Sequence, residues 1–126
     1  MDNKFYVSYE AARLLKEKGY KRHVNQYYDE NGFLHDLAYD ENYDYQMSNN
    51  DLDLDHYAAP TKAEAIDWLE SKGIVVEVVF DCNIQRWHFS IYKEEKAPWI
   101  KHLSNDTFQT RLEAEEAAII KALELL

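Results

Sequence analysis

Two runs of strand-forming residues, joined by a short turn and flanked by capped helices, most constrain the fold of this chain. Residues 74–80, IVVEVVF, are rich in β-branched side chains and predict a strand that is covered on both faces for much of its length. In residues 84–93, Trp87, Phe89 and Ile91 alternate with polar side chains, which is typical of a strand with one dry and one wet face. Residues 81–83 predict the turn between them, so the two strands should form an antiparallel hairpin.

Three helices are predicted from the residues at their ends. Ser8 can cap the first helix and Gly19 can end it in a left-handed conformation. Thr61 and Thr110 each begin a capping box, with a glutamate three residues later, and Gly73 should end the second helix. The residues expected to pack inward are Ala11, Leu14 and Leu15 in the first helix, Ile66 and Leu69 with Trp68 at the edge in the second, and Ala114, Ala118, Ile119, Ala122 and Leu123 in the third.

A second hairpin is predicted between the first two helices. Asn31 and Gly32 supply the two positive-φ positions of a tight turn that joins strands near residues 24–29 and 33–37. The order is therefore helix, hairpin, helix, hairpin, helix, or α-ββ-α-ββ-α. This order predicts an α+β fold whose helices cover one face of a mainly antiparallel sheet.

Length and composition predict one cytoplasmic domain spanning residues 1–126. A chain of 126 residues with 46% hydrophobic residues can bury a core, and its single cysteine, Cys82, permits no internal disulfide. A basic start followed by an apolar run is missing at the N-terminus, and no segment reaches the roughly 18 consecutive apolar residues of a membrane span.

The charge of the chain is distributed very unevenly. The net charge is −10, and residues 23–61 contain nine carboxylates and six of the ten tyrosines but no lysine or arginine. A field of that sign repels phosphate backbones and anionic membranes and favours a basic partner or a cation. Four basic residues lie near the end of the first helix, where positive charge is favoured by the helix dipole: Lys16, Lys18, Lys21 and Arg22. Direct nucleic-acid binding is not predicted, because the net charge of the chain opposes it.

Residues 39–57, which we call the acidic segment, are the candidate recognition surface. Tyrosine gives a large rigid contact at small entropic cost, and asparagine and serine adapt their hydrogen bonds, so this composition is typical of protein-binding loops. The alternative is that Tyr27, Tyr28 and Tyr57 are strand residues partly in the core and that residues 40–50 form a long solvated loop. The predicted partner-binding residues are Tyr39, Tyr43, Tyr45, Asp40, Asp44, Asp51, Asp53 and Asp55.

The alternating aspartates 51, 53 and 55 resemble a calcium-binding pattern that is incomplete. If Asp51 is the first position of an EF-hand loop, His56 occupies the position where a glycine allows a sharp turn. Lys62 occupies the position where a bidentate glutamate binds calcium. The alternative is an edge strand or extended loop with Leu52 and Leu54 packed inward and the aspartates solvated. The sequence therefore predicts no specific calcium site.

Other catalytic and cofactor signals are also weak. The five histidines show no zinc-binding spacing, and the three glycines are too few for a phosphate-binding loop. We predict no metal, no cofactor and no catalytic residues. An enzyme remains the competing class of protein, and in that case a hydrolase would place His88, His35 or His56 beside a carboxylate.

The segments SYEAARLLKEKGY, APTKAEAIDWLESKGI and FQTRLEAEEAAIIKALELL carry a resemblance that covers most of the chain. Together they resemble a family of small uncharacterised proteins of phages and mobile elements in anaerobic gut bacteria. The chain departs from the family in the richness of its acidic segment. The resemblance implies a phage or mobile-element setting, with no activity and no catalytic residues to carry over.

The leading hypothesis from the sequence is a small non-enzymatic binding protein. It would bind a basic host or element-encoded protein through the acidic segment, and in one variant its carboxylates would mimic the phosphates of DNA. The alternatives are the hydrolase described above and a self-associating structural protein, such as a homodimer.

Overall fold

The computed structural model describes residues 3–94 and 100–126, and it confirms the α+β class and the order of helices and hairpins. The chain divides into two compact units, Met1–Thr61 and Lys62–Leu126. The strands form two antiparallel three-stranded sheets, one in each unit, where the sequence led us to expect one sheet. Whether the whole chain is a single domain stays a prediction. In the described part of the chain, no helix is long and apolar enough to cross a membrane.

The first unit packs one helix beside a small sheet. Its helix is α1 (Tyr9–Glu17), and its strands are β1 (Gln26–Tyr28), β2 (Leu34–Asp36) and β3 (Tyr57–Ala58), arranged in the order β2-β1-β3. β3 agrees with the alternative interpretation that places Tyr57 in a strand, although two residues are too short for any periodic pattern to predict its bounds. β1 is therefore the central strand, and all three of its residues are buried.

α1 begins and ends where the sequence predicted. The Ser8 hydroxyl accepts a hydrogen bond from the Ala11 amide at 3.1 Å, and Gly19 has a φ of +92°. The buried face differs slightly, because Ala12 is buried while Leu14 is half-buried.

The turn between β1 and β2 differs from the predicted one. Gly32 has a φ of +83°, whereas Asn31 does not have a positive φ. The loop is instead closed by Asp29, whose Oδ1 accepts hydrogen bonds from the amides of Asn31 and Phe33 at 2.8 and 3.1 Å. An aspartate that bonds the backbone two residues ahead makes its own turn, so a second left-handed residue is not needed.

The second unit packs two helices on a longer sheet. Its elements are α2 (Lys62–Ser71), β4 (Ile74–Asp81), β5 (Arg86–Lys93), β6 (Ile100–Leu103) and α3 (Arg111–Glu124), with the strand order β4-β5-β6. β4 and β5 pair in register from Ile74 opposite Lys93 to Asp81 opposite Arg86. β6 was not predicted, because the sequence favours a loop around Pro98 before the last helix; Pro98 itself lies outside the described residues.

The buried face of α3 is as predicted. Its five expected residues, Ala114, Ala118, Ile119, Ala122 and Leu123, are all fully buried, and the Thr110 hydroxyl accepts a hydrogen bond from the Glu113 amide at 3.2 Å. Burying a side chain such as Ile119 or Leu123 contributes about 1.5–3 kcal/mol.

Three details of the second unit correct the sequence prediction. Trp68 is buried in the core of the unit and not at the edge of its helical stripe, while Ile66 is only half-buried. β4 is not covered on both faces, because only Ile74 is fully buried and Phe80 is 46% exposed. The turn after β4 is longer than expected, since Ile84 and Gln85 belong to it and Gln85 has a φ of +54°.

Candidate functional site

The acidic segment is folded into a series of turns held by its own polar side chains. Ser48 and Asn49 are both buried. Asn49 Nδ2 donates to the Tyr20 carbonyl at 3.0 Å, and Asn49 Oδ1 accepts from the Ala58 amide at 2.8 Å. Asp51 accepts hydrogen bonds from the hydroxyl and amide of Ser48 at 2.9 and 3.2 Å. These bonds fix the path of the segment between α1 and β3.

The two leucines of the segment differ in burial. The predicted extended arrangement, in which both side chains pack inward, is therefore wrong. Leu52 is 6% exposed, whereas Leu54 is 91% exposed. The reason is a change of backbone direction, because the segment turns at residues 49–52 and again at residues 54–55, so the two-residue period of a strand does not apply.

The eight predicted partner-binding residues fall into two groups. The first group is exposed and consists of Tyr39, Asp44, Tyr45, Asp53 and Asp55. The second group is engaged within the protein: Tyr43 and Asp40 are half-buried, and Asp51, although exposed, is hydrogen-bonded to Ser48. Tyr39 is 88% exposed and Tyr45 is 70% exposed. Only the first group is available as it stands to another molecule.

Tyr27 organises the half-buried group from the central strand of the sheet. Its ring stacks on His35 of β2 at a centroid distance of 4.9 Å, and lies 5.1 Å from the ring of His56, the residue before β3. Tyr43 packs edge-on to it at 5.3 Å. We call Tyr27, His35, Tyr43 and His56 the Tyr27 cluster. Because β1 is the central strand, Tyr27 separates the two histidines.

Carboxylates surround the Tyr27 cluster and pair with its members. His35 Nε2 lies 2.7 Å from Asp29 Oδ2, His56 Nε2 lies 3.0 Å from Glu30 Oε2, and the Tyr27 hydroxyl donates to Asp40. The hydrogen bond from Tyr27 is the main reason that the pKa of Asp40 lies below its ordinary value. Burial followed by the hydrogen bond to Asp40 raises the pKa of Tyr27.

Asp29 has two structural tasks at this edge of the sheet. Its burial disfavours ionisation, but hydrogen bonds from His35 and from the amides of Phe33 and Asn31 outweigh that cost and lower its pKa. The same carboxylate therefore closes the β1–β2 turn and fixes the His35 ring.

Tyr43 links the acidic segment to His56. Its hydroxyl lies 2.8 Å from His56 Nδ1 and accepts a hydrogen bond from the Asp53 amide at 3.2 Å. Burial raises the pKa of Tyr43. Tyr43 thus stabilises the segment from within, whereas the sequence predicts it as a partner-binding residue.

The Lys16 side chain binds the backbone of the acidic segment at its C-terminal end. Its Nζ donates to the carbonyl oxygens of Asp53, Leu54 and His56 at 3.0, 3.0 and 2.8 Å. Burial lowers the pKa of Lys16, while the charges of Asp55 and Asp53 act in the opposite direction. The sequence did not predict that Lys16 binds these carbonyl oxygens, because it is one of several basic residues near the end of α1.

One His/carboxylate group among the described residues has the spacing of a metal site. Glu30, Asp55 and His56 each offer a ligand atom, and these atoms lie within 4.8 Å of one another. Asp55 is thus grouped with residues other than its sequence neighbours Asp51 and Asp53. Glu30 carries no sequence signal for this arrangement, because it comes from the β1–β2 turn, far away along the chain.

The histidines named for a hydrolase are distributed over different places. His35 lines an open cleft of about 460 Å³ together with Tyr39 and Asp40, whereas His56 does not line that cleft. His88 lies in the second unit, on β5 opposite Val79. His35 and His56 each have a carboxylate within hydrogen-bond distance, but the two pairs do not share one cleft.

Comparison with protein-family models, curated proteins and solved structures finds no match to this chain. The resemblance to phage and mobile-element proteins therefore stays a prediction.

Proposed function

We propose that this chain is a non-enzymatic binding protein whose acidic segment recognises a lysine- and arginine-rich segment of a partner protein. In the phage or mobile-element setting that the sequence suggests, the partner is encoded by the host or by the element. The observation that carries the proposal is the exposure of Tyr39, Tyr45 and Leu54, which are 88%, 70% and 91% exposed within the acidic segment.

The large exposed side chains of this segment are not part of the buried core of the first unit. The packing of the first unit uses residues such as Leu52 and Tyr27, which are almost fully buried. Tyrosines in contact loops provide rigid area with two rotatable bonds and a hydroxyl that can hydrogen-bond. Tyr39 and Tyr45 are therefore suited to act as anchors for another protein.

The rest of the segment supports binding by keeping its shape in the free protein. Asn49, Tyr43 and Lys16 hold the backbone on which the exposed side chains lie. A segment that is already ordered loses less conformational entropy on binding.

Charge complementarity defines the chemistry of the partner. Nine carboxylates and no lysine or arginine lie in residues 23–61, so the surface attracts cationic groups and repels nucleic acids. In the narrower variant of the proposal, the partner's basic site is one that binds DNA, and the carboxylates occupy it in place of phosphates.

The test compares two kinds of variant against an arginine-rich peptide and against any partner recovered from the native host. Tyr39→Ser with Tyr45→Ser should mainly accelerate dissociation, because anchors determine residence time. Asp44→Asn with Asp53→Asn should mainly slow association and flatten its salt dependence. Surface plasmon resonance at several salt concentrations measures both effects.

Matched controls come from the second unit. Ile84→Ser removes an apolar side chain that is 54% exposed, and Glu70→Gln with Glu77→Gln removes two exposed charges. Both controls should bind as the wild type does. If the tyrosine variant keeps wild-type dissociation and the two charge variants behave alike, the segment is only a charged loop and the proposal is wrong. Displacement of the partner by duplex DNA would support the mimicry variant.

A further inference from the structure

We infer that Glu30, Asp55 and His56 form a binding site for one divalent transition-metal ion, with Zn²⁺ as the best fit. His56 Nε2 lies 3.0 Å from Glu30 Oε2 and 3.9 Å from Asp55 Oδ1. Two ligand atoms that bind one zinc ion at about 2.1 Å in tetrahedral geometry stand about 3.4 Å apart. All three ligand atoms lie within 4.8 Å of one another, so they can converge on one ion. This inference is independent of the proposed partner recognition.

His56 is oriented by a residue outside the ligand set. Its side chain is 17% exposed, its ring lies against Tyr27, and its Nδ1 is 2.8 Å from the Tyr43 hydroxyl. In the tautomer with the proton on Nδ1, this N–H donates a hydrogen bond to the Tyr43 oxygen, and the Nε2 lone pair faces the two carboxylates. Metal-binding histidines almost always have their other ring nitrogen held by such a hydrogen bond, which fixes the tautomer and the ring.

The backbone that carries two of the ligands is also held independently. Lys16 Nζ donates to the carbonyl oxygens of Asp53, Leu54 and His56, which flank or include the ligand residues Asp55 and His56. The third ligand, Glu30, lies next to Asp29, whose carboxylate closes the β1–β2 turn. Two separately fixed backbone segments therefore present the donors to one point.

The donor types select the metal. Calcium prefers six to eight oxygen ligands and magnesium a shell of oxygens, whereas an imidazole nitrogen with two carboxylates suits zinc and neighbouring transition metals. The side chains of Glu30 and Asp55 are 53% and 64% exposed, so the remaining coordination positions are open to water. A bound ion would connect the β1–β2 turn to the acidic segment.

Isothermal titration of the full chain with ZnCl₂, and separately with CaCl₂, tests the site. We expect one Zn²⁺ per chain, much weaker binding of Ca²⁺, and a large change in the nitrogen resonance of His56 Nε2 in NMR spectra. Glu30→Gln and Asp55→Asn should each weaken zinc binding at least about ten-fold, and Tyr43→Phe roughly 10- to 100-fold through loss of the hydrogen bond to His56. Because Glu30 and Asp55 are exposed, their variants should keep the wild-type circular dichroism spectrum.

Asp44→Asn is the matched control, because it removes one exposed carboxylate of the same segment without touching the ligand set. It should bind zinc as the wild type does. The proposal is overturned if zinc does not bind, if Asp44→Asn weakens binding as much as Asp55→Asn, if the His56 resonance does not respond, or if calcium binds as tightly as zinc. The second and fourth outcomes would mean that the segment only accumulates cations through its net charge.

Discussion

At the scale of single residues, Tyr27 connects several parts of the first unit. It is 4% exposed, it contacts both histidines and Tyr43, and its hydroxyl donates to Asp40. A buried tyrosine hydroxyl needs a hydrogen-bond partner, and here the partner is a carboxylate that the bond keeps ionised. Local packing and the ionisation of Asp40 are therefore coupled through one side chain.

Tyr27→Phe should make the stability of the protein less dependent on pH at both ends of the range. A raised tyrosine pKa stabilises the native state fully below the ordinary value of 10.0, and this contribution is lost as pH rises above it. The lowered pKa of Asp40 contributes above its ordinary value of 3.8 and is lost as pH falls below it. The variant loses the donor for Asp40, so both limbs should flatten, with a cost of about 1 kcal/mol at neutral pH because Asp40 is partly solvated.

Urea unfolding followed by circular dichroism from acid to alkaline pH would measure this effect. Tyr45→Phe is the control, since Tyr45 is 70% exposed and its substitution should leave the pH profile unchanged. An unchanged alkaline limb in Tyr27→Phe would show that ionisation of Tyr27 does not limit stability there.

At the scale of elements, α1 determines the path of the acidic segment. Lys16 reaches three carbonyl oxygens, and its ammonium lies 5.1 Å from the centre of the Tyr57 ring, at the start of β3. An ammonium on a long flexible stem can serve three converging carbonyls, which a planar guanidinium cannot do equally well. The helix therefore orders a segment that has little regular secondary structure of its own.

Lys16→Met should loosen residues 53–57 while leaving α1 folded. The methionine keeps the apolar stem but removes three donors, which we expect to cost about 2 kcal/mol, because two of the three bonds are exposed to water. Hydrogen exchange of the amides of residues 53–58 should accelerate. Lys21→Met, an equal change of charge at an exposed position, is the control and should leave these rates unaltered. Equal exchange in the two variants would mean that Lys16 acts only through its charge.

At the scale of the whole molecule, the two units differ in how much regular hydrogen bonding they contain. In the second unit, β5 pairs with β4 over eight residues and with β6 over four. In the first unit, β1 pairs with β2 over three residues and with β3 over two. Backbone amides in the longer ladder need a larger opening to exchange with solvent.

The β4–β5 hairpin should be the most protected hairpin in hydrogen exchange. β5 is the central strand of its sheet, so its amides should exchange most slowly. Residues 40–46, which lie in turns and bends, should exchange most rapidly. Mass spectrometry with peptide resolution would compare the two regions. Equal rates in the two regions would contradict this prediction.

The sequence by itself determined the features whose hydrogen bonds and contacts close within a few residues. Ser8 and Thr110 cap helices, Gly19 ends one, the inner face of α3 follows its period, and the strand pattern of β5 identifies its hairpin. Only the tertiary structure decided the contacts between distant residues, such as Lys16 with Leu54 and Glu30 with His56. These pairs lie more than twenty residues apart, so they depend on the path of turns that have no period, and the same path sends Leu54 outward and Tyr43 inward.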